Sequence, residues 1–470
     1  MSVPALPYEH SLMVKAIKDY KGCIQSLFEN TLWSRTCPLS DEDNINGIPG
    51  QKFMDAIKVS TAIGYPLTGP KSHHMLDLEP TARHPCRRTF MKHIWDRISH
   101  VEECYRRGER AYEVAKAQKK DEILKADSGK CRIFYGNSVA LTFLIRKYYL
   151  PIIRVIQMNP LKSECAVGIN CHGPEWEEFH NHVLKNGTER LFGGDYGKYD
   201  QKLPSQLILS SLRILIDMAK LCEYSSADVT VMEALAGDIV YSMVAYNGDL
   251  LGLTEGGHIS GNSLTVDINS IAGSLSCRCL YYTLYPQTTV PFQDVVALMT
   301  YGDDNIGTVR EGYEEFNIKN FSNFLKDYGQ IYTMPSKDDD IKEYITFDEF
   351  EFLKRMSIYH EKLGMHVGAL SESSIFKSLH CYMRGKRPVL TEQQACATNI
   401  SGAMREWFNH GEEKYELRRQ QMIKVAERAN IFHMVEADLE LSYDDRVLEW
   451  RERYITKTRP PERVAVFDLD

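Results

Sequence analysis

The sequence has 470 residues, of which 43% are hydrophobic and 26% charged, with 56 Lys and Arg against 64 Asp and Glu for a formal net charge of −8. That balance belongs to a folded globular chain and excludes a collagen, a disordered polymer and a membrane bundle; at roughly 150 residues per domain it predicts about three folding units. The negative sign argues against a nucleic-acid coat protein, which would be basic throughout, and leaves room for one basic channel in an acidic body.

In chain order, residues 1–70 read as mixed and loop-rich, with turns at Gly47–Gly50 and Gly64-Tyr65-Pro66. The N-terminus has no apolar core of signal-peptide length. Residues 86–126 are charged and helix-like. Residues 115–154 hold nine Lys and Arg against three Asp and Glu, a local balance of +6 opposite in sign to the whole. Helical patterns follow at 174–186 and 204–222. The apolar stretch 207–221 is broken by Arg213, Asp217 and Lys220, which makes it an amphipathic helix rather than a membrane span. A strand is expected to end at Phe192, and residues 262–285 read as a buried helix. Val295–Thr300, a tight turn at Tyr301–Asp304 and Asn305–Val309 read as a β-hairpin. A helix is expected at 314–328, and residues 336–351 hold seven acids against two Lys. From about 371 the pattern is helical, with candidates at 391–409 and 412–429. Scattered strands without regular strand–helix alternation define an α+β chain.

The 12 Cys form no dense framework and read as reduced thiols of a cytosolic protein. Cys165-x5-Cys171-His172 and Cys277-x-Cys279 lack the paired spacing of a structural zinc site. His73-His74 and the charges of 412–428 read as solvated surface.

The chemistry lies in three acidic positions. Asp195 follows a strand and Gly193-Gly194, with Asp200 five positions later; Asp303 and Asp304 are adjacent in Tyr301-Gly302-Asp303-Asp304. Neighbouring strand residues point to opposite faces, so only a turn lets an adjacent pair approach one site. Carboxylates converging there repel unless a cation lies between them. Hard oxygen ligands suit Mg²⁺, which takes one or two carboxylates and completes its shell with phosphates. Taken alone, an Asp pair in a turn is ordinary turn chemistry. Between the two acidic motifs lies a Gly-bearing loop that runs into a helix and carries Ser260, Gly261, Thr265 and Asn269. Thr265 and Asn269 are four apart and share a helix face. Buried polar groups need partners, and a ribose hydroxyl would serve.

In this order the motifs resemble those of viral RNA-dependent RNA polymerases of the picornavirus-like group, over roughly residues 55–410. The matching segments are Ser60–Pro66, Gly129–Arg132, Asp195-x4-Asp200, Ser260–Ser270, Tyr301–Asp304, Met334–Lys337 and Phe352–Arg355. The resemblance implies a right-hand α+β fold: fingers at 1–153, palm at 154–203, a fingers insertion at 204–257, palm again at 258–360 and a mostly helical thumb at 361–470. It implies RNA-templated nucleotidyl transfer from nucleoside triphosphates to an RNA 3′-OH or a protein primer, with two Mg²⁺ or Mn²⁺ ions. By position, Asp195 and Asp303 would ligate metal with Asp304 in support, and the Tyr196 carbonyl would reach a metal. Asp200, Thr265 and Asn269 would sense the ribose 2′-OH, which separates RNA from DNA precursors. Ser260 and Gly261 would form a mobile loop near the template. Lys130 and Arg132 would neutralise the triphosphate, and Lys337 would protonate the leaving pyrophosphate. Gly64, Tyr65 and Pro66 would line the template channel, with Lys354 and Arg355 beside the primer. The implied partners are RNA template and primer, nucleoside triphosphates and a small viral protein primer, without membrane insertion, in a replication complex of the host cytoplasm. The readings that compete with it are a palm-type reverse transcriptase or nucleotide cyclase and a catalytically silent RNA-binding palm protein. The basic stretch 115–154 would line the nucleotide channel.

Overall fold

The computed structural model describes residues 5–123, 129, 131–335, 340–382 and 390–458. They fall into two compact units. The first takes them from Met1–Lys120, Cys131–Gly168 and Val183–Phe347, the second from Asp121–Lys130, Ile169–His182 and Asp348–Asp470.

In the first unit a helix at His10–Phe28 buries Met13, Ala16, Tyr20, Ile24 and Leu27, a stripe of helical spacing. This corrects the loop-rich expectation for the N-terminus. The helix packs on the long helix Thr265–Leu284 through a buried ion cluster. Arg278, with 0% exposure, donates to Asp19 at 2.7 Å and to both Glu164 oxygens at 2.7 and 2.9 Å. Removing Arg278 would leave the two buried carboxylates without their cation.

A short ribbon pairs β1 (Met75–Asp77) with β2 (Arg88–Phe90). The helix that follows is only Lys92–Arg106, because Gly108 at φ +73° turns the chain out of it. The chain then forms a strand, β3 (Val114–Lys119), where the charge pattern predicts continued helix. β3 pairs with β4 (Ile133–Gly136) and, in parallel, with β6 (Met243–Tyr246), which carries the edge strand β7 (Asp249–Gly252).

The second sheet is antiparallel, in the order β10 (Ile331–Thr333), β5 (Leu191–Gly197), β9 (Asp304–Val309), β8 (Val296–Tyr301). β8 is apolar and buried along nearly its whole length, so the hairpin it forms with β9 is anchored in the core. The helix Thr265–Leu284 lies against this sheet: Thr300 on β8 donates to the carbonyl of Ser270 at 3.2 Å.

The second unit holds the hairpin β11 (Arg355–His360) and β12 (Met365–Leu370), followed by helices at Glu372–His380, Glu392–Phe408, Glu412–Arg428, Phe432–Leu439 and Tyr443–Tyr454. Capping boxes at Thr391–Gln394 and Ser442–Asp445 start two of them. Met404, Trp407, Tyr415 and Leu439 form their shared core. Among the described residues no helix is long and apolar enough to cross a membrane.

Candidate active site

The expected strand end at Phe192 is overturned: β5 runs on through Gly193, Gly194 and Asp195 to Gly197. The double glycine is what lets it do so. A Cβ on Gly194 would lie 2.6 Å from the Thr333 carbonyl oxygen and 2.6 Å from the Tyr332 ring, so a side chain there would push β10 away. Asp195 therefore sits within a sheet, paired to Thr333 on β10.

On the other side β5 pairs with β9 up to Gly194 opposite Asn305. One residue further in the same register, Asp195 comes opposite Asp304. β8 and β9 are joined by a two-residue turn, with Tyr301 opposite Asp304 and Gly302 at φ +63°. A glycine at the first central position is what that tight turn requires. The turn is tied to the helix behind it: the Gly302 N–H donates to the Ser270 hydroxyl at 2.9 Å. Asp303 is thus held at the tip of a fixed turn, next to Asp304 and in line with Asp195.

The electrostatics agree with this geometry. The Asp303 side chain is accessible at the turn tip, yet the surrounding chain crowds it. Desolvation raises its carboxyl above the usual range; the negative charges of Asp195 and Asp200 push the same way, and the backbone and Arg132 oppose them. Tyr199, beside it, is raised well above the usual phenol by burial first and then by Asp303. Among the described residues no three His, Cys, Asp or Glu side chains form a closed cage for an ion. Two or three carboxylates that share a site without closing it fit a cation that completes its shell with substrate oxygens.

A second cluster lies around the start of the helix Thr265–Leu284. Asp200 is exposed on a short helical turn, Tyr199–Lys202, and its carbonyl accepts from His258 N at 2.7 Å. Gly261 lies against β4 so closely that a Cβ would overlap the Tyr135 carbonyl oxygen. Ser260 precedes it, half-buried. The Thr265 hydroxyl donates to the Asn262 carbonyl at 2.9 Å, which leaves its oxygen as an acceptor. Asn269 Oδ1 lies 2.8 Å from His258 Nδ1, and its carbonyl accepts from Tyr199 at 2.9 Å. His258, two residues before the Ser260–Ser270 motif, carries no role in the sequence reading; its burial and contacts single it out.

Gly64 at φ +87° packs on the backbone of Asn137 and Ser138, followed by an exposed Tyr65 and a cis Pro66. Lys130 and Lys337 lie outside the described residues. Lys354 and Arg355 belong to the second unit and part company. Lys354 is exposed and pairs with Glu351 at 2.6 Å. Arg355 is 8% exposed, with both guanidinium nitrogens on Glu406 at 2.8 Å and one on the Gly368 carbonyl at 2.7 Å. This corrects the expectation of a primer contact for Arg355, since its guanidinium is buried and both Nη groups are held within the second unit by Glu406 and Gly368. The basic-stretch expectation also narrows. Arg146 donates to Asn44 and the Asp55 carbonyl, Lys147 pairs with Asp41 and Glu102, and Arg154 donates to the Lys52 carbonyl.

An antiparallel sheet with one carboxylate inside a strand and another on the adjoining hairpin turn, backed by a long helix, defines a right-hand polymerase palm. The fold agrees: a Sicinivirus 3Dpol RNA-dependent RNA polymerase superposes with a TM-score of 0.72 at 16% identity, covering 95% of this chain and 86% of that one. The chain belongs to the viral RNA-dependent RNA polymerase family, whose profile matches residues 4–430. It is 27% identical over 315 residues to the replicase polyprotein of Cricket paralysis virus, covering 63% of this chain and 17% of that polyprotein. With the genome polyprotein of Deformed wing virus it shares 24% identity over 420 residues, 85% of this chain and 14% of that one. The chain thus spans less than a fifth of the length of either curated relative.

Proposed function

We propose that this protein copies an RNA template into RNA, transferring nucleotides from nucleoside triphosphates to a primer 3′-OH, with RNA template and primer as its macromolecular partners. The observation that carries the reading is the convergence of Asp195 with the Asp303–Asp304 turn, where Asp303 is raised by burial and by Asp195. Carboxylates held in mutual repulsion fit cations. Asp195 and Asp303 would hold two Mg²⁺ or Mn²⁺ ions with Asp304 and the Tyr196 carbonyl in support. Bound there, such ions would supply activation of the attacking hydroxyl and neutralisation of the leaving pyrophosphate.

The remaining roles fall to the chain's own groups. Arg132, whose charge already reaches Asp303, offers positive charge to the triphosphate. Asp200, Thr265 and Asn269 contact the ribose. Gly64–Pro66, Ser260, Gly261 and Lys354 guide the RNA strands, and Lys130 and Lys337 keep their proposed roles in triphosphate binding and leaving-group protonation. Phosphoryl transfer demands little covalent help, so position and charge supply most of the rate. We assign fingers to 1–153 and 204–257, palm to 154–203 and 258–360, and thumb to 361–470. A small viral protein as primer and a cytoplasmic replication complex complete the proposal.

Primer extension on a primed RNA template with Mg²⁺ or Mn²⁺ tests it. Asp303→Ala or Asp195→Ala abolishes incorporation while circular dichroism and RNA binding are kept. An Asp303→Ala protein that still extends the primer would sink the reading.

A further inference from the structure

His258 sits between the two halves of the proposed ribose site. Its backbone N–H donates to the Asp200 carbonyl at 2.7 Å, and its Nδ1 lies 2.8 Å from Asn269 Oδ1. The side chain is 2% exposed, and Nε2 is buried with no hydrogen-bond partner. Asn269 is held from below as well, its carbonyl accepting from Tyr199 at 2.9 Å.

Burial pushes the His258 ring down to about 4, against the opposing pull of the Asn269 hydrogen bond, so the imidazole is neutral at working pH. A neutral ring carries one proton. On Nε2 that proton would be a buried donor without an acceptor, which is costly. On Nδ1 it is satisfied by Asn269 Oδ1, and Nε2 is left an unpaired buried acceptor, a smaller cost than an orphaned N–H. The tautomer therefore sets the amide: Asn269 turns its oxygen to His258 and its N–H₂ away from it. Thr265, one helical turn earlier, has already given its proton to the Asn262 carbonyl and presents an acceptor.

We propose that His258 is a positioning residue for sugar selection: it locks the Asn269 amide so that a donor from Asn269 and an acceptor from Thr265 meet the incoming nucleotide. A ribose hydroxyl satisfies both, since it accepts and donates; a deoxyribose hydrogen satisfies neither and leaves two polar groups unpaired. Without His258 the amide is free to rotate by half a turn and offer an oxygen in place of its donor. The inference rests on the polymerase reading above and adds to it a residue that acts through Asn269.

The test compares the 470-residue chain with H258L and H258N. The Asn variant places an amide N–H near the position of Nδ1, and the Leu variant removes the donor. The readout is kcat/KM for an NTP divided by kcat/KM for the matching dNTP at one template position, a ratio that does not depend on the folded fraction. H258L lowers the ratio by about tenfold, the scale of one lost hydrogen bond, mostly through a higher KM for the NTP. H258N restores most of it. If the unaltered chain incorporates no NTP, the polymerase reading itself fails. If that chain is active and H258L keeps its sugar ratio, the positioning role alone is overturned. An H258N ratio as low as that of H258L, with both folded by circular dichroism, also overturns it.

Discussion

Asp267 gives the sharpest test of how the helix behind the site is built. It lies in the first turn of Thr265–Leu284 with 0% exposure. Gln157 donates to Oδ1 at 3.0 Å, the Cys165 thiol lies 3.9 Å from the same oxygen, and Oδ2 has no partner. Burial pushes the carboxyl from 3.8 up to about 7, with the hydrogen bonds opposing it. Because the folded value is the raised one, the folded state binds the proton more tightly than the unfolded chain. Stability is therefore greatest below the unfolded value and is lost as pH rises to about 7, after which it levels. A difference of about 3 units at about 1.36 kcal/mol each sets the full range at about 4 kcal/mol. An Asn in this position never ionises. The stability of Asp267→Asn relative to the unaltered chain therefore improves by about 2–3 kcal/mol between about pH 5 and about pH 8. The orphaned amide N–H₂ adds a cost, but a cost independent of pH. Urea unfolding followed by tryptophan fluorescence at both pH values measures it through the shift in midpoint. A gap between variant and parent that is the same at both pH values refutes the account.

Other perturbations separate structural from functional charge. Arg355→Leu removes the bidentate partner of Glu406 and destabilises the second unit by about 3 kcal/mol in urea, while the salt dependence of RNA binding stays unchanged. A slope lowered by one would show that Arg355 touches phosphate after all. Leu353 and Lys354, at φ +55° and +60°, form the two central residues of the tight turn closed by reciprocal Phe352–Arg355 hydrogen bonds of 2.9 Å. Lys354→Gly relieves that left-handed strain and stabilises the hairpin by about 1 kcal/mol, while the salt slope of RNA binding falls by about one, measured by thermal shift and filter binding. Gly261→Ala forces the loop off β4 and lowers kcat/KM for nucleotide addition about a hundredfold with the melting temperature nearly kept; full activity would mean the loop's seat on Tyr135 is immaterial.

What the sequence could reveal was what local chemistry dictates. The Tyr301–Asp304 hairpin was legible because an apolar run, a glycine and an acidic pair are all turn chemistry. The helix Glu392–Phe408 was legible from its helical pattern at 391–409. The helix His10–Phe28 was hidden: Glu9 makes no side-chain cap, the first turn has no acid, and Tyr and Ala dilute its apolar stripe. β3 was misread because Ala, Lys and Gln are good helix formers, and only its ladders to β4 and β6 make it a strand. His258 and Asp267 carry no local signature at all. Their chemistry comes from burial, and their partners Asn269 and Gln157 lie 11 and 110 residues away.

The basic stretch shows why local charge counts, like net charge, need a structure before they mean function. Of its cations, Arg146, Lys147 and Arg154 all stand on the helix Val139–Met158 and bind carbonyls, amides and acids from other parts of the first unit. Burial even draws Arg146 down to about 10, the mark of a charge held for packing. Among the described residues of the stretch, Lys116, Lys119 and Lys120 on or just past β3, and Arg132 just before β4, stay exposed. These are not scattered, because the two strands pair: Lys119 lies opposite Ile133, and the Lys120 N–H donates to the Arg132 carbonyl at 2.9 Å. The same β4 seats Gly261 on the Tyr135 carbonyl, and the charge of Arg132 is felt at Asp303. One short ladder therefore links the exposed cations to the Gly261 loop and to the Asp303 carboxyl. A salt-sensitive substrate path can run through a protein of net charge −8 because a few cations are concentrated on that ladder.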